Sequence, residues 1–260
     1  MSKSPLLEQP HAQLKQSGGL RLSLAIESST RDASLVLADC GEPIQHIPLN
    51  PQFRTAATIS EAIATLLAKA EEIGHPLDYV AVADGPGSFT GLRIGVTSAK
   101  TLTYALGCRL IGVDSLAAIA SGLWESFPDA QEVIVALNAY RSQVFAARWT
   151  PQQWRDASST GDFTAQSDVW SAEQWSDELA KSSATTIVGV EAILAKRLNS
   201  LKKSSPGASS PIPATVVTVE PSAHQVAKLA HQLALMGRFA SPMELLPRYL
   251  RDSAAEEKLG

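Results

Sequence analysis

The run from Asp78 to Lys100, DYVAVADGPGSFTGLRIGVTSAK, constrains the fold more than any other part of the chain. An apolar strand, Tyr79 to Ala83, meets the turn Asp84-Gly85-Pro86-Gly87-Ser88-Phe89-Thr90-Gly91, and the turn opens a helix that can run to about Leu106. A helix that starts at a glycine-rich turn after a strand is an anion-binding corner, because its first N–H groups are unpaired and its dipole end is positive. The spacing is neither G-x-G-x-x-G nor a loop closed by Gly-Lys-Ser/Thr. Two readings of the turn therefore stand. It is a phosphate cradle, or it is a tight structural turn in which Gly85 and Gly87 take backbone angles closed to other residues.

The helix carries a second signal. Gly91, Gly95, Ala99 and Thr103 recur every four residues and form one stripe of small side chains, with Leu92, Val96, Leu102 and Leu106 as apolar bulk beside it. A small-residue stripe lets another backbone approach closely. That backbone belongs either to the protein's own sheet or to a docking partner.

The chain has 260 residues, enough for two lobes with a sizeable core. Its net charge of -4 comes from well-mixed charges with no basic face, which argues against a stand-alone nucleic-acid binder. No apolar run approaches the ~20 residues needed to span a bilayer. Residues 1–20 are polar and irregular, lack the apolar core of a secretory signal, and read as a disordered tail. The two cysteines, Cys40 and Cys108, sit alone, so neither a disulfide framework nor a zinc site is expected, and a reducing cytoplasm fits.

Taken in order, Leu22 to Ile26, Ala33 to Ala38 and Ile44 to Leu49 read as strands of an antiparallel meander, the first hairpin carrying Glu27-Ser28-Ser29-Thr30. Thr58 to Ile73 has the period of an amphipathic helix, with Ile59, Ile63, Leu66, Leu67, Ala70 and Ile73 on one face. After the glycine turn and its helix come a strand, Arg109 to Val113, and a helix capped by Asp114-Ser115. The first lobe, residues 21–115, is therefore β-β-β-α-β-α-β, which gives a mixed sheet flanked by helices. The second lobe, 116–221, holds paired strands Val133 to Leu137 and Gln143 to Trp149, a polar loop or ragged strand over Thr150 to Gln166, a short helix at Ser171 to Ala180, a strand Thr186 to Val190, a helix Glu191 to Leu201, a low-complexity loop at 202–213, and a strand Thr215 to Val219. Ser222-Ala223-His224-Gln225 is a capping box. The helix it opens, with the tail to 260, is expected to pack back on the first lobe. The order is that of the actin-like, Hsp70-like ATPase-domain (ASKHA) superfamily: α/β, two lobes, mixed sheets flanked by helices. No internal repeat is visible in the sequence.

Gly85-Pro86-Gly87-Ser88-Phe89-Thr90-Gly91-Leu92-Arg93-Ile94-Gly95 resembles the GPGSFTGLRIG signature of the TsaB (YeaZ) family. Leu24 to Thr30 resembles that family's LAIDTST run, Ile111 to Leu116 its IGVSSL segment, and Pro247-Arg248-Tyr249-Leu250-Arg251 its C-terminal P-x-Y-L-R. The resemblance is good over roughly Arg21 to Ala120 and loose beyond. It implies an accessory, non-catalytic subunit in tRNA modification. The main partner implied is TsaD, a paralogue that transfers a threonylcarbamoyl group from threonylcarbamoyl-adenylate to the adenosine beside the anticodon. TsaE, an ATPase, joins them, tRNA is met only through the complex, and a homodimer forms when TsaD is absent. The expected interface residues are Gly91, Leu92, Gly95, Val96, Ala99 and Thr103, with Ile63 of the preceding helix.

The residues also bear on chemistry. Where TsaD-like proteins have V-N-H-x-x-x-H, with two metal-binding histidines one helical turn apart, this chain has Val113-Asp114-Ser115-Leu116-Ala117-Ala118-Ile119. Ser115 and Ile119 hold the histidine places and cannot ligate as imidazole does, so no metal site is expected. Glu27 replaces the family's aspartate, Asn138 and Gln143 stand for two acids of its DAR-x-GEVY segment, and Arg54 stands near a common histidine. A kinase of the acyl or sugar type is the other reading. It holds ATP or ADP with Glu27, Ser28, Thr30, Gly85, Gly87 and Ser88. Without G-x-S-x-G a hydrolase is disfavoured. Arg93 is expected to bridge to Asp84 or Asp114, and Trp149, Trp154, Trp170 and Trp175 to belong to core or lid.

Overall fold

A computed structural model of the chain describes residues 19–52, 55–196 and 213–250. Ten strands and six helices are named among them. The first sheet contains β1 (Leu22–Glu27), β2 (Ser34–Asp39), β3 (Glu42–Pro48), β4 (Tyr79–Gly85) and β5 (Arg109–Asp114) in the order β3-β2-β1-β4-β5. β1 and β2, and β2 and β3, pair antiparallel, while β4 joins β1 and β5 in parallel. The second sheet contains β6 (Glu132–Asn138), β7 (Gln143–Trp149), β8 (Ser167–Ser171), β9 (Thr186–Val190) and β10 (Thr215–Thr218) in the order β10-β9-β6-β7-β8. Read from its meander edge, β8-β7-β6-β9-β10, it repeats the first sheet with the same pairing directions. The helices follow the same duplication. α1 (Thr55–Ile73) and α5 (Ala172–Ala180) follow the third strand of their sheets, and α3 (Ser115–Ser126) and α6 (Ala223–Leu235) follow the fifth. α2 (Phe89–Leu106) joins β4 to β5. The expected two-lobe actin-like architecture is present, and so is a repeat that the sequence hides.

Strand alternation decides the layers. Leu22, Leu24 and Ile26 of β1, with Val80 and Val82 of β4, face outward onto α1 and α2. Ala25, Ala81 and Ala83 face inward. On the second sheet Val133, Val135 and Leu137 face inward, and Ile134 and Ala136 face outward onto Trp175 and Leu179 of α5. Between the sheets lie α3, buried nearly all round through residues such as Leu116 and Ile119, and the inner face of α6, with Val226, Leu229 and four alanines, Ala223, Ala227, Ala230 and Ala234. Small residues on both sheet and helices permit that close stacking, and one apolar core serves both lobes. The chain then runs on as an irregular strap, 237–250, along the open edge of β5, where Ala240 N donates to Leu110 O at 2.8 Å.

Residues 151–160, expected as loop or ragged strand, are instead α4 (Pro151–Thr160). Thr150 accepts from Gln153 N, the Gln153 side chain caps back, proline fills the first turn, and Gly161 closes the helix at φ 72°. The polar sequence masked it because only Ala157 is buried. The tryptophans are core. Trp149 and Trp175 are buried, and Trp154 packs against Trp149, Trp124 and Phe163. Arg54, the loop at 202–212 and Arg251 lie outside the described residues. Residues 192–196 are helical, and the rest of the helix expected to Leu201 is also outside them. Among the described residues no helix is long and apolar enough to cross a membrane.

Candidate functional site

The glycine signature is a seat for the β1–β2 turn. Ser88 N donates to Ser29 O at 2.6 Å, and Ser28 Oγ donates to Gly91 O at 2.9 Å. A Cβ on Gly87 falls 2.5 Å from Ser29 Cβ and 2.6 Å from its carbonyl oxygen. A Cβ on Gly91 overlaps Ser28 O, and one on Gly95 overlaps Ser28 Oγ. The stripe of small residues thus receives the chain's own backbone. Gly91, Leu92, Gly95, Val96, Ala99 and Thr103 are all buried, and Ile63 is half-buried against the same outer core. This corrects the expected interface. A face that is filled from within cannot meet a partner, and the surface α2 presents is the opposite one: Thr90, Arg93, Thr97, Thr101 and Tyr104.

The residues expected to hold nucleotide divide in the same way. Glu27 is buried, and Oε1 accepts the Ser29 amide, which closes the hairpin turn. Burial pushes its carboxyl up to about 7, against the pull of the Ser29 contacts. Ser28 is committed to Gly91, and Gly85 and Gly87 are covered by Arg248 and Ser29. Ser88 caps α2, its Oγ accepting from Gly91 N at 3.3 Å. Only Thr30 and Ser88 of the six line an open space, a cleft of about 410 Å³ between the lobes. The other four sit behind it because the turn is packed from its own side.

Several lining residues of that cleft were not singled out as site residues in the sequence: Asp32 from the first lobe, and Tyr140 and Glu191 from the second, beside Asn138. Asn138 N donates to Glu191 Oε2 at 2.6 Å, and Asn138 Oδ1 accepts from Tyr140 N at 3.0 Å. Burial raises the Glu191 carboxyl, and the Asn138 amide opposes the rise. Tyr140, Arg141 and Ser142 all have positive φ, 61°, 46° and 62°, a conformation that favours glycine and that no residue type there announces.

A second cluster gathers at the C-terminal ends of β4 and β5. Asp114 caps α3, its Oδ1 accepting from Ala117 N at 2.7 Å. Its Oδ2 accepts from Ser167 Oγ of β8 at 3.1 Å and from Arg248 Nη2. The same Nη2 donates to Gly85 O at 2.6 Å, and Arg248 N donates to Asp84 O at 2.7 Å. Burial lifts the Asp84 carboxyl to about 7; Arg248 pulls it down and Asp114 pushes it up. Burial also raises Asp114, with Arg248 opposing. The sequence assigned an aspartate partner to the wrong arginine. Arg93 is exposed, lies over the Phe89 ring at 4.3 Å and donates to Tyr249 Oη at 3.2 Å. Arg248 makes the buried pair. Ser115 and Ile119, in the histidine places, are buried in the first turns of α3 between the sheets.

The family model described as "TsaD: tRNA N6-adenosine threonylcarbamoyltransferase" matches residues 51–259. The chain is 31% identical over 126 residues to the tRNA threonylcarbamoyladenosine biosynthesis protein TsaB of Escherichia coli, covering 48% of this chain and 54% of that one. It is 29% identical over 157 residues to TsaB of Haemophilus influenzae, covering 60% and 65%. In the Escherichia coli alignment the chain thus spans about half the length of the curated relative it matches. The solved YeaZ of Pseudomonas aeruginosa superposes with a TM-score of 0.63 at 20% identity, over 88% of this chain and 100% of that one. At that identity the likeness shows the fold.

Proposed function

Because the chain belongs to the TsaD family, on its TsaB (YeaZ) branch, we propose that it serves tRNA threonylcarbamoyladenosine biosynthesis as a docking subunit and not as the transferase. One observation carries the reading. The glycine turn is filled by the protein's own Ser28, Ser29 and Arg248, so the signature sets the angle of α2 and leaves its outer face to solvent. That face is built of small polar residues, Thr90, Thr97 and Thr101, flanked by Arg93 and by Tyr104 at 81% exposure. The partner it would meet is the TsaD of the same organism, with TsaE joining the pair and tRNA reached through the complex. In the absence of TsaD the same face would pair two copies of the chain.

Co-expression with TsaD and TsaE tests this. The modified adenosine in tRNA should fall when this chain is withheld. Thr97→Arg, on the outer face, should abolish co-purification with TsaD while leaving the melting temperature unchanged. Undiminished co-purification of that variant sinks the interface. The kinase reading retains the cleft beside Thr30 and Ser88. Calorimetric titration with ATP and Mg²⁺ separates the two, since tight binding with turnover by the isolated chain favours the kinase.

A further inference from the structure

The strap 237–250 is the last described segment of the chain. It has no regular structure beyond one bridge to β5, and it carries two of the most exposed apolar side chains among the described residues, Met243 at 87% and Leu246 at 70%. Phe239 and Leu250 pack against the inner core and Leu245 against the outer one, and Arg109 lies over the Phe239 ring at 4.5 Å. Ala240 N meets Leu110 O, Lys100 Nζ of α2 donates to Leu245 O at 3.1 Å, and Tyr249 stacks on Phe89 at 4.5 Å. The strap's charged anchor is Arg248, whose guanidinium pairs with the buried Asp114 carboxylate and whose charge also acts on Asp84. The socket is made by glycines. A Cβ on Gly85 overlaps Arg248 O, and a Cβ on Gly112 falls 2.5 Å from Asp84 Oδ2 and 2.8 Å from Leu245. Asp162, near β8, is the other acid that feels the Arg248 charge.

We propose that the strap is a releasable latch with Arg248 as its bolt: seated, it ties the Gly85–Ser88 turn, the N-terminus of α3 and the edge of β8 into one unit, and withdrawn, it leaves a carboxylate-lined socket that takes a free guanidinium group. The tie passes through Asp114, which holds Arg248, Ser167 and the Ala117 amide together. A buried pair of this kind depends on both partners, because removing one leaves an uncompensated charge. The remaining strap contacts are partly exposed, and a segment held in this way opens at less cost than the central strands. Both side-chain bonds of Arg248, to Gly85 O and to Asp114, come from Nη2, and a lysine there keeps the charge but carries it on a compact ammonium of different reach, so it should hold the strap less firmly. The inference does not depend on which partner α2 meets.

Hydrogen exchange on the full chain tests it. In the parent protein the Ala240 and Arg248 amides should exchange through an opening that leaves Leu24 and Val80 of the central strands protected. Arg248→Ala should speed exchange at those strap amides at least about tenfold with the central strands unaffected. Millimolar ethylguanidinium should restore the protection. Strap amides that exchange only together with the central strands overturn the latch, as does Arg248→Ala with unchanged strap protection, or protection that ethylguanidinium leaves lost. If Arg248→Ala does not fold, the parent exchange pattern and Arg248→Lys decide, the latter expected to loosen the strap by an intermediate amount.

Discussion

Gly91 shows how much of this fold rests on one missing methyl group. A Cβ there overlaps the Ser28 carbonyl oxygen, which is backbone and cannot swing away. Gly91→Ala should therefore cost about 2–3 kcal/mol, or more if the β1–β2 turn cannot shift. Gly107, the C-cap of α2, has φ 66° and open space around its Cβ position. Gly107→Ala should cost only about 1–2 kcal/mol of backbone strain. Urea unfolding of both variants checks the contrast, and equal losses would remove the seating argument. Glu27 makes a second case. Its carboxyl titrates near 7 in the folded protein because burial penalises the charge, against 4.5 in the unfolded chain. A raised folded value means that the group's stabilising contribution is complete below about 4.5 and is lost as pH rises through about 7. Glu27→Gln removes that titration. The stability of the variant relative to the parent should grow by at most about 3 kcal/mol between acid and mildly alkaline pH. Parallel stability curves across that range would contradict the burial.

Elements were legible where local physics decides them. The Thr58 to Ile73 period, the glycine-rich start of α2 and the Asp114 and Ser222 caps all stand in the structure at those places. α4 was missed because its single buried side chain gives no apolar period, although Thr150-Pro151-Gln152-Gln153 carried a capping signal. Its neighbour α5 offers a clean test of such signals. Ser171 Oγ accepts from Gln174 N at 3.1 Å, and the Gln174 side chain returns to Ser171 N at 2.9 Å. Ser171→Ala should lower stability by about 1 kcal/mol, measured by denaturant unfolding. No loss would mean that Trp175 and Leu179, buried on the second sheet, fix α5 without its cap. The face of α2 was not legible, because a small-residue stripe has the same spacing whether it meets a partner or its own sheet.

The whole molecule is two copies of one plan closed around a shared core. The third, inner layer of α3 and α6 packs on both sheets, so neither lobe has a complete core without the other. Unfolding should accordingly be a single transition. Of the five tryptophans, Trp124 lies on α3 and the other four, Trp149 to Trp175, belong to the second lobe, so their fluorescence reports mainly that lobe. In urea it should change with the same midpoint as the far-ultraviolet circular dichroism of the whole chain. Separated midpoints would mean that the lobes are independent. The duplication escaped the sequence because sheet pairing order constrains burial patterns and not residue identities. β1 and β6 share a place in the plan, with Leu22–Glu27 in one and Glu132–Asn138 in the other, and have little in common by letter.

Taken alone, the sequence determined the order of the elements in the first lobe, the α/β class, the two lobes, the glycine turn and its family resemblance. Each of these follows from patterns a few residues long. The tertiary structure alone decided that Gly91, Gly95 and Ala99 face inward, that Glu27 and Ser28 are committed to the turn, and that Arg248 and not Arg93 meets the buried acids. Those outcomes depend on pairs far apart in the chain, 63 residues for Ser28 and Gly91 and 134 for Asp114 and Arg248. No local spacing encodes which of several chemically suitable partners the closed chain brings within hydrogen-bonding distance.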